Sequence, residues 1–263
     1  MKPIVFLGGG RITTALVAGL RLAGYNQPIV VHDRHAKKLR QLQWKYNVVA
    51  EPRLRSTVES AFLLIVAVRP DSVRGLLKEI AQINYPLNAV SLAAGVPLST
   101  LKAGLKSPVR WARAMPSPAC RSGRGLTALT FSKGFPAAER SRVRNLFSLV
   151  GGVMEIPEEQ FDAFTVTFSC SHGYHALNTL IEAAESIGLD PATAQAAAAH
   201  ALADGILAWR DSHLPLDELL KEAATPGGTA AAVMEKMNRS GYRRLVENGL
   251  RAGVKQAQKN ARK

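Results

Sequence analysis

Residues 4–20, IVFLGGGRITTALVAGL, decide how the first half of the chain folds. Four apolar residues predict a buried strand, three glycines predict a tight turn, and the apolar spacing beyond them predicts a helix. The expected inward face of that helix consists of Ala15, Leu16, Ala18, Gly19 and Leu20. A helix that starts this way offers unpaired backbone N–H groups to a phosphate, and glycine lets the phosphate come close. We interpret the turn as a pyrophosphate cradle, although Thr13 stands where G-x-G-x-x-G/A has glycine or alanine. A strand, turn and helix without a ligand is the alternative.

The composition of the 263 residues is that of a globular protein, with 47% hydrophobic and 21% charged residues. The length suits one or two domains. No apolar run approaches the roughly 18 residues needed to cross a bilayer. The opening MKPIVF leads directly into the glycine turn, which is not the pattern of a signal peptide, so we expect a cytoplasmic location. Cys120 and Cys170 lack C-x-x-C spacing and predict neither a disulfide framework nor a zinc site.

The net charge of +14 is concentrated in the first part of the chain. Residues 1–156 contain 23 Lys and Arg against 7 Asp and Glu, whereas residues 157–263 contain 11 against 13. This contrast favours two domains, a dinucleotide-binding domain over residues 1–156 and a helical domain over residues 157–263. Positive charge on the first helps to attract an anionic dinucleotide, or simply keeps it solvated. Binding of nucleic acid is not expected, because the basic residues are scattered and only 6% of residues are aromatic.

Strands and helices are predicted to alternate through the first domain. After the first strand, strands are predicted at residues 28–32, 61–68, 89–92, 109–114 and 126–131. Helices are predicted at residues 37–46, 72–83 and 98–106. This alternation predicts an α/β fold with a doubly wound, mostly parallel sheet. Pro70 is expected to end the strand of residues 61–68 at the sheet edge where such proteins bind ligands.

Asp33 follows the second predicted strand, about 20 residues beyond the glycines. A carboxylate at this position normally accepts hydrogen bonds from the adenosine ribose and disfavours a 2′-phosphate. Arg34, His35, Lys37 and Lys38 follow directly, and such a cluster can bind a 2′-phosphate or form a solvated first turn. The sequence therefore leaves open whether NAD or NADP is the cofactor.

From residue 158 onward, long helical patterns replace the strands. One predicted helix ends at Gly188, and Asp190 and Pro191 begin the next. Alanine dominates residues 192–203, and further apolar residues follow. So much small and apolar helical surface predicts a homodimer, or a higher oligomer, built through this domain. Packing onto the first domain is the alternative. The basic tail at residues 255–263 is expected to fray.

Several segments of the chain resemble one family in the same order. They are GGGRITTAL from Gly8, VAVRPDSV from Val66, SLAAGVPLSTL from Ser91, RAMPSPACRSGRGLTAL from Arg113, FSCSHGYHALNTLIEAAESIGL from Phe168 and TPGGTAAAVMEKMNRSGYRRLVENGLRAG from Thr225. The chain thus resembles the pyrroline-5-carboxylate reductases, which reduce a cyclic imine to proline with NAD(P)H. The first segment is common to dinucleotide-binding proteins, and the last is the most diagnostic. The resemblance implies a Rossmann-like N-terminal sheet followed by an all-helical C-terminal dimerisation domain, exchanged between subunits.

The resemblance also implies site residues, with the substrate between the nicotinamide and loops of the helical domain. The residues that the motifs above and the resemblance place at the cofactor are Gly8, Gly10, Arg11, Ile12, Asp33, Arg34, Val68, Arg69, Pro70, Ala93, Ala94, Met115 and Pro116. The implied substrate-binding residues are Ser171, Pro226, Gly227, Gly228 and Thr229. Backbone N–H groups in a glycine loop suit a substrate carboxylate.

The chain departs from the family pattern in its substrate half. Cys170 and His172 stand where the family has glycine, and Ala230 replaces a threonine that is implied to bind the imine nitrogen. Loss of such a hydrogen bond costs on the order of a hundredfold in rate. We hypothesise that His172, or Tyr174, donates the proton instead. Packing at the start of a helix is the alternative for His172.

Ser171 and Thr229 complete the candidate catalytic set. No metal is expected, because His175 and His200 lack suitably spaced partners. Three functions follow from the resemblance and the departures. The first is reduction of 1-pyrroline-5-carboxylate to proline in proline biosynthesis. The second is reduction of another cyclic imino or oxo acid, and the third is binding of a dinucleotide without catalysis.

Overall fold

The computed structural model describes residues 2–82, 86–105 and 108–262, with side chains described up to residue 260. The alternating part comprises β1 (Ile4–Leu7), α1 (Arg11–Leu22), β2 (Ile29–His32), α2 (Ala36–Tyr46), β3 (Val49–Ala50), α3 (Leu54–Glu59), β4 (Leu63–Val66), α4 (Pro70–Glu79), β5 (Leu87–Ser91), α5 (Leu98–Gly104), β6 (Val109–Pro116), β7 (Gly125–Phe131), α6 (Ala137–Ser148) and β8 (Gly151–Glu155). The helical part comprises α7 (Phe161–Thr167), α8 (Cys170–Ser186), α9 (Pro191–Ser212), α10 (Leu216–Ala223), α11 (Thr229–Arg239) and α12 (Tyr242–Arg262). Residues 83 and 106, where two predicted helices end, lie outside the described residues.

The eight strands form one sheet in the order β3-β2-β1-β4-β5-β6-β7-β8. Every pair is parallel except β6 with β7, which is antiparallel. The order 3-2-1-4-5-6 is that of doubly wound dinucleotide-binding sheets. The predicted α/β fold followed by helices is therefore confirmed. Four elements had not been predicted, namely β3, α3, α6 and β8.

The core of the sheet has two apolar layers, one on each face. Phe6 and Ile65 belong to one layer, and Val5 and Trp111 to the other. All four residues of β1 are buried because helices cover both faces of this central strand. This explains why β1 has no alternation of polar and apolar residues.

Helix α1 packs through a face slightly different from the predicted one. Val17 is buried, and Ala18 is only half-buried. Thr13 is buried as well, and its hydroxyl donates a hydrogen bond to the Gly8 carbonyl over 2.5 Å. The hydroxyl therefore makes threonine compatible with a position where the fingerprint has a smaller residue.

Several predicted boundaries were wrong by a few residues. Strand β4 begins at Leu63 rather than at residue 61, and it ends at Val66. Pro70 does not end this strand but is the first residue of α4, a position where the missing N–H of proline costs nothing. The turn at residues 67–69 therefore carries the chain from the strand into the helix.

The chain divides into two compact units. One contains residues Met1–Phe168 together with Ala252–Lys263, and the other contains Ser169–Arg251. The functional boundary between residues 156 and 157 stays a prediction. Within Ser169–Arg251 the only buried side chains in the single chain are those of Ala194 and Ala198.

Residues 255–262 are helical and not frayed, contrary to prediction, and residue 263 lies outside the described residues. Helix α12 continues to Arg262, and Ala257 is buried. Gly95, in the loop after β5, has a φ of +73° and lies so close that a Cβ atom there would be 2.4 Å from the Ala257 carbonyl oxygen. Ala257 thus packs this helix end against the loop after β5, and Gly253 of the same helix lies close to Val166.

Two expectations from the sequence concern the cysteines and membrane-spanning helices. Cys120 and Cys170 are both free thiols. Among the described residues, no helix is long and apolar enough to cross a membrane.

Candidate functional site

A cavity of about 1350 Å³ opens where β1, β2 and β4 end. This is the sheet edge at which doubly wound proteins bind their ligands. Its lining comes from the glycine turn, the ends of β2 and β4, helix α4 and the 3₁₀ turn Pro118–Ser122. The lining residues are Leu7, Gly8, Gly9, Gly10, Arg11, Ile12, Thr14, Ala15, His32, Asp33, Arg34, His35, Lys38, Ala67, Val68, Arg69, Asp71, Ser72, Gly75, Leu76, Glu79, Pro118 and Arg121.

The glycine turn fits a pyrophosphate. Gly8 has a φ of +111°, and a Cβ atom there would lie 2.7 Å from the Ala67 carbonyl oxygen, so only glycine brings the two chain segments this close. Gly10 is the N-cap of α1, and a Cβ atom there would meet no atom within 4 Å, which leaves space for a ligand. No side chain caps α1, and its first turn contains no acidic residue. The N–H groups at the start of α1 therefore face the cavity and are free to bind an anion, which the helix dipole also favours.

Asp33 is held firmly at the end of β2. Its Oδ2 accepts a hydrogen bond from the Gly9 N–H over 2.8 Å, and its Oδ1 accepts one from the His35 N–H over 2.8 Å. The imidazole Nδ1 of His35 lies 2.9 Å from Oδ1, and the Lys38 ammonium lies 3.9 Å from Oδ2. Burial alone would raise the pKa of Asp33, but these hydrogen bonds and the lysine lower it. The carboxylate is therefore ionised at neutral pH.

The charge around the cavity is predominantly positive. Arg11, Arg34, Arg69 and Arg121 line it together with Lys38, whereas the acidic lining residues are Asp33, Asp71 and Glu79. Sequence reasoning missed Arg121, which comes from a 3₁₀ turn about a hundred residues beyond the glycines. Only the sheet topology, which brings the end of β6 near α1, places it there.

The cavity gathers most but not all of the predicted cofactor residues. Gly8, Gly10, Arg11, Ile12, Asp33, Arg34, Val68 and Arg69 line it, whereas Pro70, Ala93, Ala94, Met115 and Pro116 do not. Ala93 and Ala94 directly follow β5, and Met115 and Pro116 end β6. Because β4, β5 and β6 are parallel, these residues lie at the same edge of the sheet. Their contacts with a nicotinamide stay a prediction.

A buried arginine that the sequence did not reveal lies in β6, two residues before Met115. Arg113 is fully buried, and its guanidinium bonds Glu158 and Asp162 over 3.0 Å each. The guanidinium also stacks 4.2 Å from the Phe161 ring centroid, and Glu158 accepts a hydrogen bond from the Leu98 N–H. This cluster ties β6 and the start of α5 to the segment that leads into α7.

Three of the four candidate catalytic residues, Ser171, His172 and Tyr174, lie at the exposed start of α8, whereas Thr229 begins α11. The Ser171 and Ser169 hydroxyls are 2.6 Å apart, and the His172 N–H donates to the Ser169 carbonyl over 3.0 Å. In the single chain, Ser171, His172 and Tyr174 are exposed to solvent. Their catalytic roles stay predictions.

The predicted carboxylate loop precedes α11. Gly227 has a φ of +78°, and the Gly228 N–H donates a hydrogen bond to the Thr225 carbonyl over 2.9 Å. Thr229 is the first residue of α11, and no side chain caps the helix. Pro226 leads into this turn, so the loop presents a helix N-terminus to an anion. The described residues contain no cluster of three or more metal-binding side chains.

The sheet order and the glycine turn together define the class of the protein, a Rossmann-like dinucleotide-binding chain with a helical C-terminal part. Comparison with family models agrees for both parts. Residues 158–260 match the pyrroline-5-carboxylate reductase dimerisation family, and residues 3–95 match the NADP oxidoreductase, coenzyme F420-dependent family.

Relatives and solved structures extend the match to the whole chain. The pyrroline-5-carboxylate reductase of Mycobacterium leprae is 30% identical, with 96% of this chain and 94% of the relative covered. That of Thermus thermophilus is 32% identical, with 95% and 97% covered. The Streptococcus pyogenes enzyme has the same fold, with a TM-score of 0.88 at 20% identity over 98% of both chains. A Plasmodium falciparum enzyme with NADP bound gives 0.86 at 19% identity over 98% of both chains. The chain belongs to the pyrroline-5-carboxylate reductase family.

Proposed function

We propose that the protein is an NAD(P)H-dependent oxidoreductase that reduces 1-pyrroline-5-carboxylate to L-proline. The observation that carries this proposal is the end-to-end similarity to reductases of that name, which includes both the dinucleotide-binding and the dimerisation segments. The cavity beside the glycine turn supports it independently, because a hydride-transferring reductase needs such a site.

The chain's own residues bind and orient the cofactor. The N-terminus of α1 and Arg11 bind the pyrophosphate, because the first offers uncapped N–H groups and the second a cation at the cavity wall. Val68 and Arg69 border the nicotinamide side. When bound, the reduced nicotinamide supplies a hydride for the imine carbon.

Two parts of the helical unit serve the substrate. The Gly227 N–H and the uncapped N–H groups at the start of α11 bind the substrate carboxylate, since Pro226 has no N–H and that of Gly228 is donated to Thr225. Reduction of the C=N bond also requires one proton at the nitrogen, and His172 or Tyr174 is the proposed donor. Because these side chains are exposed in the single chain, whereas hydride transfer needs a site that excludes water, a second chain must cover them.

The protein is proposed to be a homodimer. The dimerisation family matches residues 158–260, and the helical unit has little buried side-chain surface of its own. Assembly beyond the dimer and a cytoplasmic location stay predictions.

A second candidate function is reduction of a different cyclic imino or oxo acid. The observation that favours it is the imidazole of His172 at a position where the family has glycine, since a side chain there changes the shape of the substrate site. Replacement by glycine, His172→Gly, separates the two candidates. It is neutral or beneficial for 1-pyrroline-5-carboxylate if His172 only narrows the site, and it lowers kcat if His172 donates the proton.

The decisive assay follows oxidation of NADH and of NADPH with 1-pyrroline-5-carboxylate and with a panel of cyclic imines and oxo acids. Turnover of the pyrroline at ordinary enzymatic rates is expected. Cofactor binding without turnover of any substrate would instead identify a non-catalytic dinucleotide-binding protein.

Gly10→Asp tests the cradle within the same assay. An aspartate at this N-cap has room for its Cβ atom and caps α1 well, so stability is maintained. Its carboxylate repels the pyrophosphate, and we expect dinucleotide affinity to fall at least about a hundredfold. A variant that still binds the dinucleotide normally would contradict the placement of the pyrophosphate.

A further inference from the structure

The Asp33 carboxylate lies between the glycine turn and a group of cations. Its side chain is only 10% exposed, and it lines the cavity beside Gly9. The cations around it are far more exposed, with 68% of the His35 side chain and 47% of the Lys38 side chain open to solvent. The anion is therefore fixed in the cavity wall, whereas the cations are at its rim.

The hydrogen bonds of Asp33 leave one acceptor position free for a ligand. A carboxylate accepts about four hydrogen bonds. Oδ1 is occupied by the backbone N–H and the Nδ1 of His35, and Oδ2 accepts the Gly9 N–H. The remaining lone pair on Oδ2 is next to the glycine turn, which the adenosine ribose adjoins when a pyrophosphate occupies the cradle. A ribose hydroxyl can donate to it.

A 2′-phosphate cannot make the same interaction. It brings only acceptor oxygens and up to two negative charges, and both conflict with an ionised carboxylate. The carboxylate cannot rotate away without giving up its hydrogen bonds to Gly9 and His35. It also cannot easily become neutral, because those same hydrogen bonds lower its pKa.

The neighbouring cations do not offset this conflict. Lys38 is within 3.9 Å of Oδ2, and His35 is bonded to Oδ1, so both are already engaged by Asp33. Arg34 is exposed, where salt and water screen its attraction for a phosphate. The half-buried anion, which is held by its hydrogen bonds, therefore outweighs the exposed cations.

We propose that Asp33 makes this protein selective for NADH over NADPH. The inference deepens the proposed function, because it names which dinucleotide serves that same site. The expected preference is about tenfold to a hundredfold, the range that one like charge at close approach produces.

The experiment measures binding and catalysis separately. NADH and NADPH are titrated against the full chain without substrate, by thermal shift and by calorimetry, and kcat/KM is then measured with each cofactor and 1-pyrroline-5-carboxylate. Wild type is expected to bind NADH at least about tenfold more tightly and to show a larger thermal shift with it. Asp33→Ser is expected to reverse or abolish the ratio, since Arg34 and Lys38 then meet the 2′-phosphate without competition.

Two further variants test whether the charge of Asp33 is the cause and whether the effect is specific to the cavity. Asp33→Asn keeps the shape and removes the charge, so it must also reduce the preference for NADH if charge is the cause. Glu51→Gln removes a carboxylate that pairs with Arg53 at the end of β3 and does not line the cavity, so it must leave the ratio unchanged.

The outcomes separate this inference from the proposed function. Equal or tighter binding of NADPH by wild type, or an unchanged ratio in both Asp33 variants, overturns the role of Asp33. Turnover of the pyrroline with NADPH preferred also overturns it, while supporting the reductase function. Preferential binding of NADH without turnover of the pyrroline supports Asp33 as the selector and overturns the reductase function.

Discussion

The two compact units differ in how they bury their apolar residues. The first unit has two continuous apolar layers against its sheet, and even an arginine is fully buried there. Among the described residues, the second unit, Ser169–Arg251, exposes fifteen large apolar side chains against six in the larger first unit, and it buries only Ala194 and Ala198. The first unit is stabilised by its own chain, and the second depends on another surface.

The difference follows from the sequence patterns of the two units. Strands β1 and β4 are apolar throughout because helices cover both faces of the sheet. The helices of the second unit are apolar on faces that nothing within the unit covers. Exposed apolar surface on this scale marks an association surface. One chain therefore contains a self-sufficient core and one half of the proposed shared core.

The largest expected effect comes from a charge on the exposed apolar surface. Ile206 in α9 is 51% exposed in the single chain. Ile206→Asp removes about 2 kcal/mol of apolar burial from each copy, and two-fold symmetry doubles the loss. We expect the dimer dissociation constant to rise about a thousandfold or more, measured by sedimentation equilibrium.

Trp44→Asp is the matched control for that change. Trp44 lies in α2 of the first unit and is 88% exposed. If apolar exposure alone were enough to drive association, both variants would weaken the dimer. We expect Trp44→Asp to leave the dimer dissociation constant unchanged. If Trp44→Asp weakened the dimer and Ile206→Asp did not, the first unit and not the second would form the shared core.

The next largest effect concerns the buried arginine of the first unit. Arg113→Met leaves the Glu158 and Asp162 carboxylates without their cation, and breaking a buried pair in this way costs about 3 kcal/mol or more. The partners keep some contact with water, so the lower end is expected. Urea denaturation at fixed protein concentration measures the loss. Arg55→Met, which breaks an exposed pair with Glu59, should cost far less, because solvent screens that pair. Equal losses would show that Arg113 is not a buried anchor.

A smaller effect is expected where the end of α12 meets the first unit. Gly95→Ala forces a Cβ atom against the Ala257 carbonyl oxygen and should cost about 2 kcal/mol. Gly134→Ala, at a similar φ of +80° but in open space, should cost only about 1 kcal/mol. Hydrogen exchange should increase at residues 252–262 in the first variant alone. Unchanged exchange there would mean that α12 does not depend on Gly95.

The smallest effect compares the two cysteines, one in each unit. Burial raises the pKa of the Cys120 thiol to about 11, so almost no thiolate forms at pH 8. Cys170 is partly exposed at the start of α8. Iodoacetamide at pH 8 is expected to label Cys170 first, with both thiols reacting in denaturant, as read by peptide mass spectrometry. Faster labelling of Cys120 in the native protein would contradict the difference in burial.

Much of the fold could be predicted because apolar periodicity is a local signal. The strand of residues 4–7, the glycine turn and the helix cap at Asp190 all follow from neighbouring residues. Strands β3 and β8 were missed because they are short or only half-buried, so their apolar pattern is weak. The order of α12 was missed because it depends on contact with a loop some 160 residues earlier in the chain.

Residues of the candidate site could be predicted only where they belong to one local sequence motif. The glycine turn and Asp33 are linked by a fingerprint of fixed spacing, and both line the cavity. Arg113 was missed because arginine is expected on the surface and its partners Glu158 and Asp162 are distant in the chain. Arg121 was missed because it is far along the chain from the glycine turn whose cavity it lines. The proposed preference for NADH also required the structure, since composition does not show that Asp33 is fixed while its cationic neighbours are exposed.

The return of α12 to the first unit has a consequence for the order of events during synthesis. The ribosome completes residues 2–168 first, and the helical unit follows. Ala257 cannot fill the space beside Gly95 during that interval, because it follows the helical unit in the chain. A nascent chain therefore carries an unfinished first unit throughout translation of the second. Only a chain whose synthesis has passed α12 can fill that space.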